Sequence, residues 1–146
     1  MKILKNIFKN SRSSSEDGIF FNEIEKVIGF KPQKITYYEK AFTHRSTNRM
    51  DLKGNPLNYE RLEFLGDAFL SFFVASEAMI EHRSLQEGDL SRLRAALVGT
   101  ENLALKSRDL GIGECLLVGK AEMNSNPQRR DNVLADAFEA VTAALL

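Results

Sequence analysis

From Asn58 to Ala68 the chain reads Asn-Tyr-Glu-Arg-Leu-Glu-Phe-Leu-Gly-Asp-Ala, three carboxylates in a stretch otherwise apolar enough for a protein interior. At helical spacing Glu60, Glu63 and Asp67 fall within about 60° of one another around the axis. Acids crowded on one face of a buried helix repel each other and lose hydration, so something cationic must compensate. A second segment, Asp131 to Glu139, repeats the device: Asn132, Asp136 and Glu139 stand at i, i+4 and i+7 and share a face. Two such helices brought together make an all-oxygen cage for a hard divalent metal.

The rest of the chain is also patterned for helices. Phe21, Ile24, Val27 and Ile28 keep helical spacing, with Gly29 and Pro32 marking a stop. Thr36 and Glu39 are spaced as a capping box ahead of a short helix through Ala41 and Phe42. A polar loop over 46–58 leads to the acid-bearing helix, expected from Asn58 as N-cap to His82. Phe64, Phe69, Phe72 and Phe73 lie all around that cylinder, which predicts a central, buried helix. Gly66 costs such a helix about 1 kcal/mol relative to Ala, which points to close approach by another backbone.

Helices are expected again over Glu87–Val98, carrying Arg92 and Arg94, and over Glu101–Leu110, closed by Gly111. A stretch bearing Gly and Pro follows to Arg130, and a last helix runs to the end. No segment sustains strand alternation, so the fold class is all-α, a compact multi-helix domain. Residues 1–19 read as a flexible basic arm and 20–146 as the folded domain. The arm lacks the apolar core of a secretory signal, and a frayed arm fits it better than a targeting segment.

Composition narrows the function classes. A length of 146 residues suits one domain with a real core, and no apolar run is long enough to span a bilayer. The single cysteine, Cys115, excludes an internal disulfide and a thiolate zinc site, and it suits a reducing, cytoplasmic compartment. His44 and His82 lack ligand spacing to another His or Cys and read as structural. A net charge of zero argues against indiscriminate nucleic-acid binding but leaves room for a local basic surface. Arg92, Arg94, Arg129 and Arg130 are candidates for phosphate contact.

The run Glu60-Arg61-Leu62-Glu63-Phe64-Leu65-Gly66-Asp67 closely resembles the signature of the ribonuclease III family. Three further blocks resemble that family in the same order: Ala41 to Ser46, Glu87 to Arg94, and Leu134 to Ala140. The resemblance covers roughly residues 20–146 and implies a bacterial-type nuclease domain. It further implies an endonuclease that hydrolyses double-stranded RNA, leaving 5′-phosphate and 3′-hydroxyl ends with short 3′ overhangs, in the processing of ribosomal or messenger RNA. The working form implied is a homodimer whose joined surface makes a valley for the duplex.

By motif position, Glu63, Asp67, Asp136 and Glu139 resemble the magnesium-binding quartet, with Asp67 and Glu139 most tied to catalysis. Glu60 and Glu87 resemble accessory acids of substrate handling and subunit contact, and Phe64 the residue that enters a socket on the partner. The chemistry agrees with the residue types. Phosphodiester hydrolysis needs a deprotonated water and a stabilised leaving oxygen, and Mg²⁺ serves both through oxygen ligands, with Mn²⁺ as substitute.

Two rival functions are open to the same residues. A catalytically silent relative, kept as an RNA-binding or ribosome-associated structural protein, has no need of all six acids. A di-iron carboxylate bundle needs Glu-x-x-His pairs, and here position +3 holds Glu63 after Glu60 and Glu139 after Asp136. Bacterial-type members carry a double-stranded-RNA-binding domain after the nuclease domain, and none is read here. The run Ala143-Ala144-Leu145-Leu146 has no C-cap and reads as a truncated helix, short of the family's closing helix. RNA binding is therefore expected to be weak and strongly salt-sensitive.

Overall fold

Gly29, at φ +81°, ends the first helical segment, α1 (22–28), in the left-handed conformation that glycine adopts without steric cost. The structure is a computed structural model that describes residues 22–32 and 34–146. The basic arm, its serine-rich linker and Phe21 lie outside the described residues. Ile24 and Val27 of α1 are buried in the core beside Tyr38, Phe42, Tyr59 and Ile112.

Helix α2 (Ile35–Ala41) begins before the expected capping box. Lys34 is its N-cap and no side chain caps it, so Thr36 sits inside the first turn. Ile35 packs against the core, which draws the helix start forward. Glu39 is used differently: its carboxylate lies 3.6 Å from Arg49.

A 3₁₀ turn (Arg45–Thr47) and a loop with Gly54 at φ +78° then lead to α3 (Glu60–Glu81). Tyr59, not Asn58, is the N-cap of this helix; Asn58 stands one residue earlier, its Oδ1 accepting the Glu60 N–H at 3.1 Å. Helices α4 (Glu87–Val98) and α5 (Thr100–Asp109) follow, and Gly111, at φ +72°, turns the chain into the short α6 (Ile112–Cys115). The stretch to Arg130 contains two 3₁₀ segments, Lys120–Ser125 and Pro127–Arg129, before α7 (Asp131–Leu145). Among the described residues there is no β-strand, only two isolated bridges, so the all-α expectation holds.

The centre of the fold is α7, not α3. Val133, Leu134, Ala137, Ala140 and Val141 are buried, and α7 packs chiefly against α3 and α5. Helix α3 buries only Gly66 and Ala78, while Phe64 is 80% and Phe72 73% exposed. Phenylalanines all around α3 therefore do not make it a buried helix: one side packs on α7 and the other faces solvent. Gly66 does meet another backbone, but within the same chain. A Cβ there would lie 1.9 Å from the Glu139 carbonyl oxygen. Small residues at 135, 137, 140 and 143 keep α7 slim enough for this approach.

Candidate metal centre

The contact at Gly66 sets the site. It brings the first turns of α3 against the middle of α7, so that Glu63 from one helix meets Asp136 and Glu139 from the other. One carboxylate oxygen from each of the three lies within 4.8 Å of the others. Asp67, one turn beyond Glu63 and more exposed, stands outside that trio but is the foremost charged neighbour of Glu139. Sequence spacing had put the acids on two shared faces; the fold turns those faces toward each other.

Metal-free, this arrangement is electrostatically unfavourable. Burial, then the charges of Asp67, Asp136 and Glu63, pushes the Glu139 carboxyl up to about 7. Burial followed by Asp136 and Glu60 raises Glu63. Burial also raises Asp136, partly offset by the Tyr59 hydroxyl and Arg45. A set of close, half-buried oxygens without nitrogen or sulfur is a donor set for a hard divalent cation.

A pocket of about 320 Å³ opens beside the trio, lined by Glu63, Asp136, Asn132, Tyr59 and Glu60 among others. Tyr59 is 3% exposed and its ring meets His44 edge-on, with centroids 5.6 Å apart. His44 is buried and lines the same pocket. The Ser46 N–H donates to its Nδ1 at 3.1 Å, the Ser46 hydroxyl lies 2.7 Å from the same nitrogen, and the Gly119 N–H donates to that hydroxyl at 2.8 Å. This ties the wall of the pocket to the loop after α6.

Glu60 sits at the rim, with Arg45 Nη1 3.5 Å from its Oε1. Glu87 lies on α4, does not line the pocket, and accepts a hydrogen bond from the Ser91 hydroxyl at 2.8 Å. Phe64 also stands outside it, on the exposed side of α3. Sequence reasoning overlooked Arg45 and Tyr59. Arg45 had a signal in its motif block, whereas Tyr59 had only its place beside Glu60.

Comparison with known proteins points to one family. Residues 34–146 match the family described as Ribonuclease-III-like. The chain is 41% identical over 145 residues to Ribonuclease 3 of Flavobacterium psychrophilum and 42% identical over 146 residues to that of Zunongwangia profunda. Each alignment covers 99% of this chain and 57% of the relative, so the chain spans somewhat over half the length of these proteins. The nuclease domain of ribonuclease III from Campylobacter jejuni superposes with a TM-score of 0.75 at 33% identity, covering 86% of this chain and 83% of that one. That structure is described as having a flexible region involved in dimer formation.

Proposed function

The chain belongs to the ribonuclease-III-like family, and from that membership we propose that it is a magnesium-dependent endoribonuclease acting on double-stranded RNA. It hydrolyses phosphodiester bonds to leave 5′-phosphate and 3′-hydroxyl ends with short 3′ overhangs. Its setting is the processing of ribosomal or messenger RNA in the cytoplasm. The observation that carries this reading is the meeting of Glu63 with Asp136 and Glu139 across two helices, within 4.8 Å.

Glu63, Asp136 and Glu139 would hold the ion, with Asp67 beside them; Mn²⁺ would substitute. A magnesium ion held by these residues would acidify a bound water and neutralise charge on the phosphate. The residues of the chain do the rest. Glu139, whose carboxyl is pushed up to about 7 by burial and then by its acidic neighbours, would give up its proton on binding a cation. Asp67 and Glu139 would act at the reacting phosphate, and Tyr59, almost fully buried, lines the pocket beside Asp136. Among the described residues no helix is long and apolar enough to cross a membrane.

The active form proposed is a homodimer. Phe64, Leu65, Phe72, Phe73, Met79 and Ile80 leave α3 with an exposed apolar side larger than scattered surface residues produce. The dimer-forming region named for the Campylobacter jejuni domain supports the same assembly here. Phe64 would lie in the contact between copies, and Glu60 and Glu87 would serve substrate handling and subunit contact.

The test is cleavage of a long perfect RNA duplex with Mg²⁺, by the wild type, by Glu139→Gln, and with excess chelator. The wild type should cut, and the other two conditions should yield no product. Near-wild-type turnover by the variant would sink the role given to Glu139, and cutting in chelator would remove magnesium. A wild type that binds the duplex without cutting it would favour the silent relative.

A further inference from the structure

Four acids line the pocket, and two of them already hold a guanidinium. Arg45 Nη1 lies 3.5 Å from Glu60, and Arg130 Nη2 lies 3.7 Å from Glu122 and donates to the Ser125 hydroxyl at 3.4 Å. Glu63 and Asp136 are left to the trio with Glu139. The lining therefore divides into a cation-seeking floor and a rim that carries its own cations.

Arg45 opens the 3₁₀ turn after α2, and Arg130 precedes the first turn of α7. Both side chains are open to solvent, 71% and 50% exposed. Exposed pairs of this length add little to stability, so anchoring the fold does not account for them. A guanidinium carries five N–H donors in a rigid fork suited to phosphate oxygens, and the one long contact of Arg45 and the two of Arg130, all through one nitrogen each, leave most of them unused. A ligand of the opposite charge is also needed here. Three carboxylates and one divalent ion still leave a net negative floor, which repels an entering phosphodiester unless cations stand beside it.

Building on the nuclease reading above, we propose that Arg45 and Arg130 form a phosphate-holding pair. They bind backbone phosphates of the RNA duplex beside the scissile one, and Glu60 and Glu122 keep the two guanidinium groups at the rim until RNA arrives. Arg45 and Arg130 are binding residues, distinct from the metal ligands. Their loss weakens RNA capture and leaves the metal site intact.

The experiment measures binding of a labelled RNA hairpin in chelator across a salt series, for wild type, Arg45→Gln, Arg45→Lys and Arg130→Gln. Mn²⁺ binding to each protein is followed separately by paramagnetic resonance. Each Gln variant should lower affinity about tenfold at low salt and reduce the slope of log affinity against log salt by about one, while Arg45→Lys keeps the slope. Mn²⁺ affinity should match the wild type throughout. An unchanged slope in either Gln variant overturns the pair, as does a parallel loss of Mn²⁺ affinity, which would mean that the arginines merely shape the floor. A wild type that neither binds nor cuts the duplex overturns the nuclease reading and this proposal together.

Discussion

Replacing Gly66 by alanine adds one methyl group, and ordinary helix propensity says that it should stabilise α3 by about 1 kcal/mol. The structure predicts the reverse. The new Cβ would stand 1.9 Å from the carbonyl oxygen of Glu139 and 2.5 Å from its carbonyl carbon. Both are backbone atoms, so no rotamer change relieves the overlap, and α7 must move by about 1.5 Å to reach van der Waals separation. Overpacking typically costs 1–3 kcal/mol, and a rigid backbone contact belongs at or above the top of that range. After subtracting the propensity gain, a net loss of about 2–3 kcal/mol remains, a fall in Tm of roughly 8–12 °C for a domain of this size. The same movement carries Asp136 and Glu139 away from Glu63, so Mn²⁺ affinity should drop on the order of tenfold or more. Calorimetry and metal titration read both effects. Gly88→Ala is the matched control: its helix is exposed, and the nearest atom to a new Cβ is the end of Arg92, 3.9 Å away. That variant should melt at or slightly above the wild type. If Gly66→Ala also melts at or above the wild type, the close packing of α3 on α7 is refuted.

Because the folded, metal-free state holds the Glu139 carboxyl near 7 against 4.5 ordinarily, it retains a proton that the unfolded chain gives up. The sign is fixed: the contribution of Glu139 to metal-free stability is full below about pH 4.5 and is lost as pH rises through 7, with Glu63 and Asp136 acting in the same direction. The loss from Glu139 is about 1–2 kcal/mol by pH 8, after allowing for solvent screening, and Glu139→Gln should recover it in chelator; a flat pH profile would contradict the repulsion. Saturating Mg²⁺ should raise Tm above pH 7, since a ligand at a hundredfold its Kd adds about 2.7 kcal/mol. Phe64→Asp places a charge on the apolar side of α3 and should shift the protein to monomer in light scattering, with a wild type already monomeric being the adverse result.

The sequence was most legible where one physical constraint dominated. Helical spacing of Glu60, Glu63 and Asp67, and of Asn132, Asp136 and Glu139, needs only the period of the helix, and the fold respects it. Gly29 and Gly111 were readable as stops because few residues other than glycine take positive φ readily. Which faces are covered was not legible. Phe64, Phe69, Phe72 and Phe73 are apolar whether they meet the core, a second subunit or water, and periodicity does not distinguish those partners. The capping box failed for a related reason. Thr36 and Glu39 had the right spacing, but burial of Ile35 decided where α2 begins. Arg45 and Tyr59 reach the site only because the loop at 42–44 is pinned to Leu117, with His44 N–H donating to the Leu117 carbonyl at 2.8 Å. No local signal announces a pairing across more than seventy residues.

Helix α3 therefore carries two surfaces with different dependencies. Gly66 and Phe64 are two positions apart, about 200° around the axis, so the residue that seats α7 and the most exposed phenylalanine of α3 stand on nearly opposite sides of the helix. A defect at Gly66 acts on the carboxylates through the backbone of Glu139, inside a single chain. A defect at Phe64 acts on association and leaves the Glu63, Asp136 and Glu139 oxygens where they are. The two variants should consequently separate the functions: Phe64→Asp losing self-association with wild-type Mn²⁺ affinity, Gly66→Ala losing Mn²⁺ affinity while its apolar surface is unchanged. Loss of Mn²⁺ affinity in Phe64→Asp would mean that the metal centre needs the second subunit to form, and that the close contact of α3 with α7 does not suffice to build it.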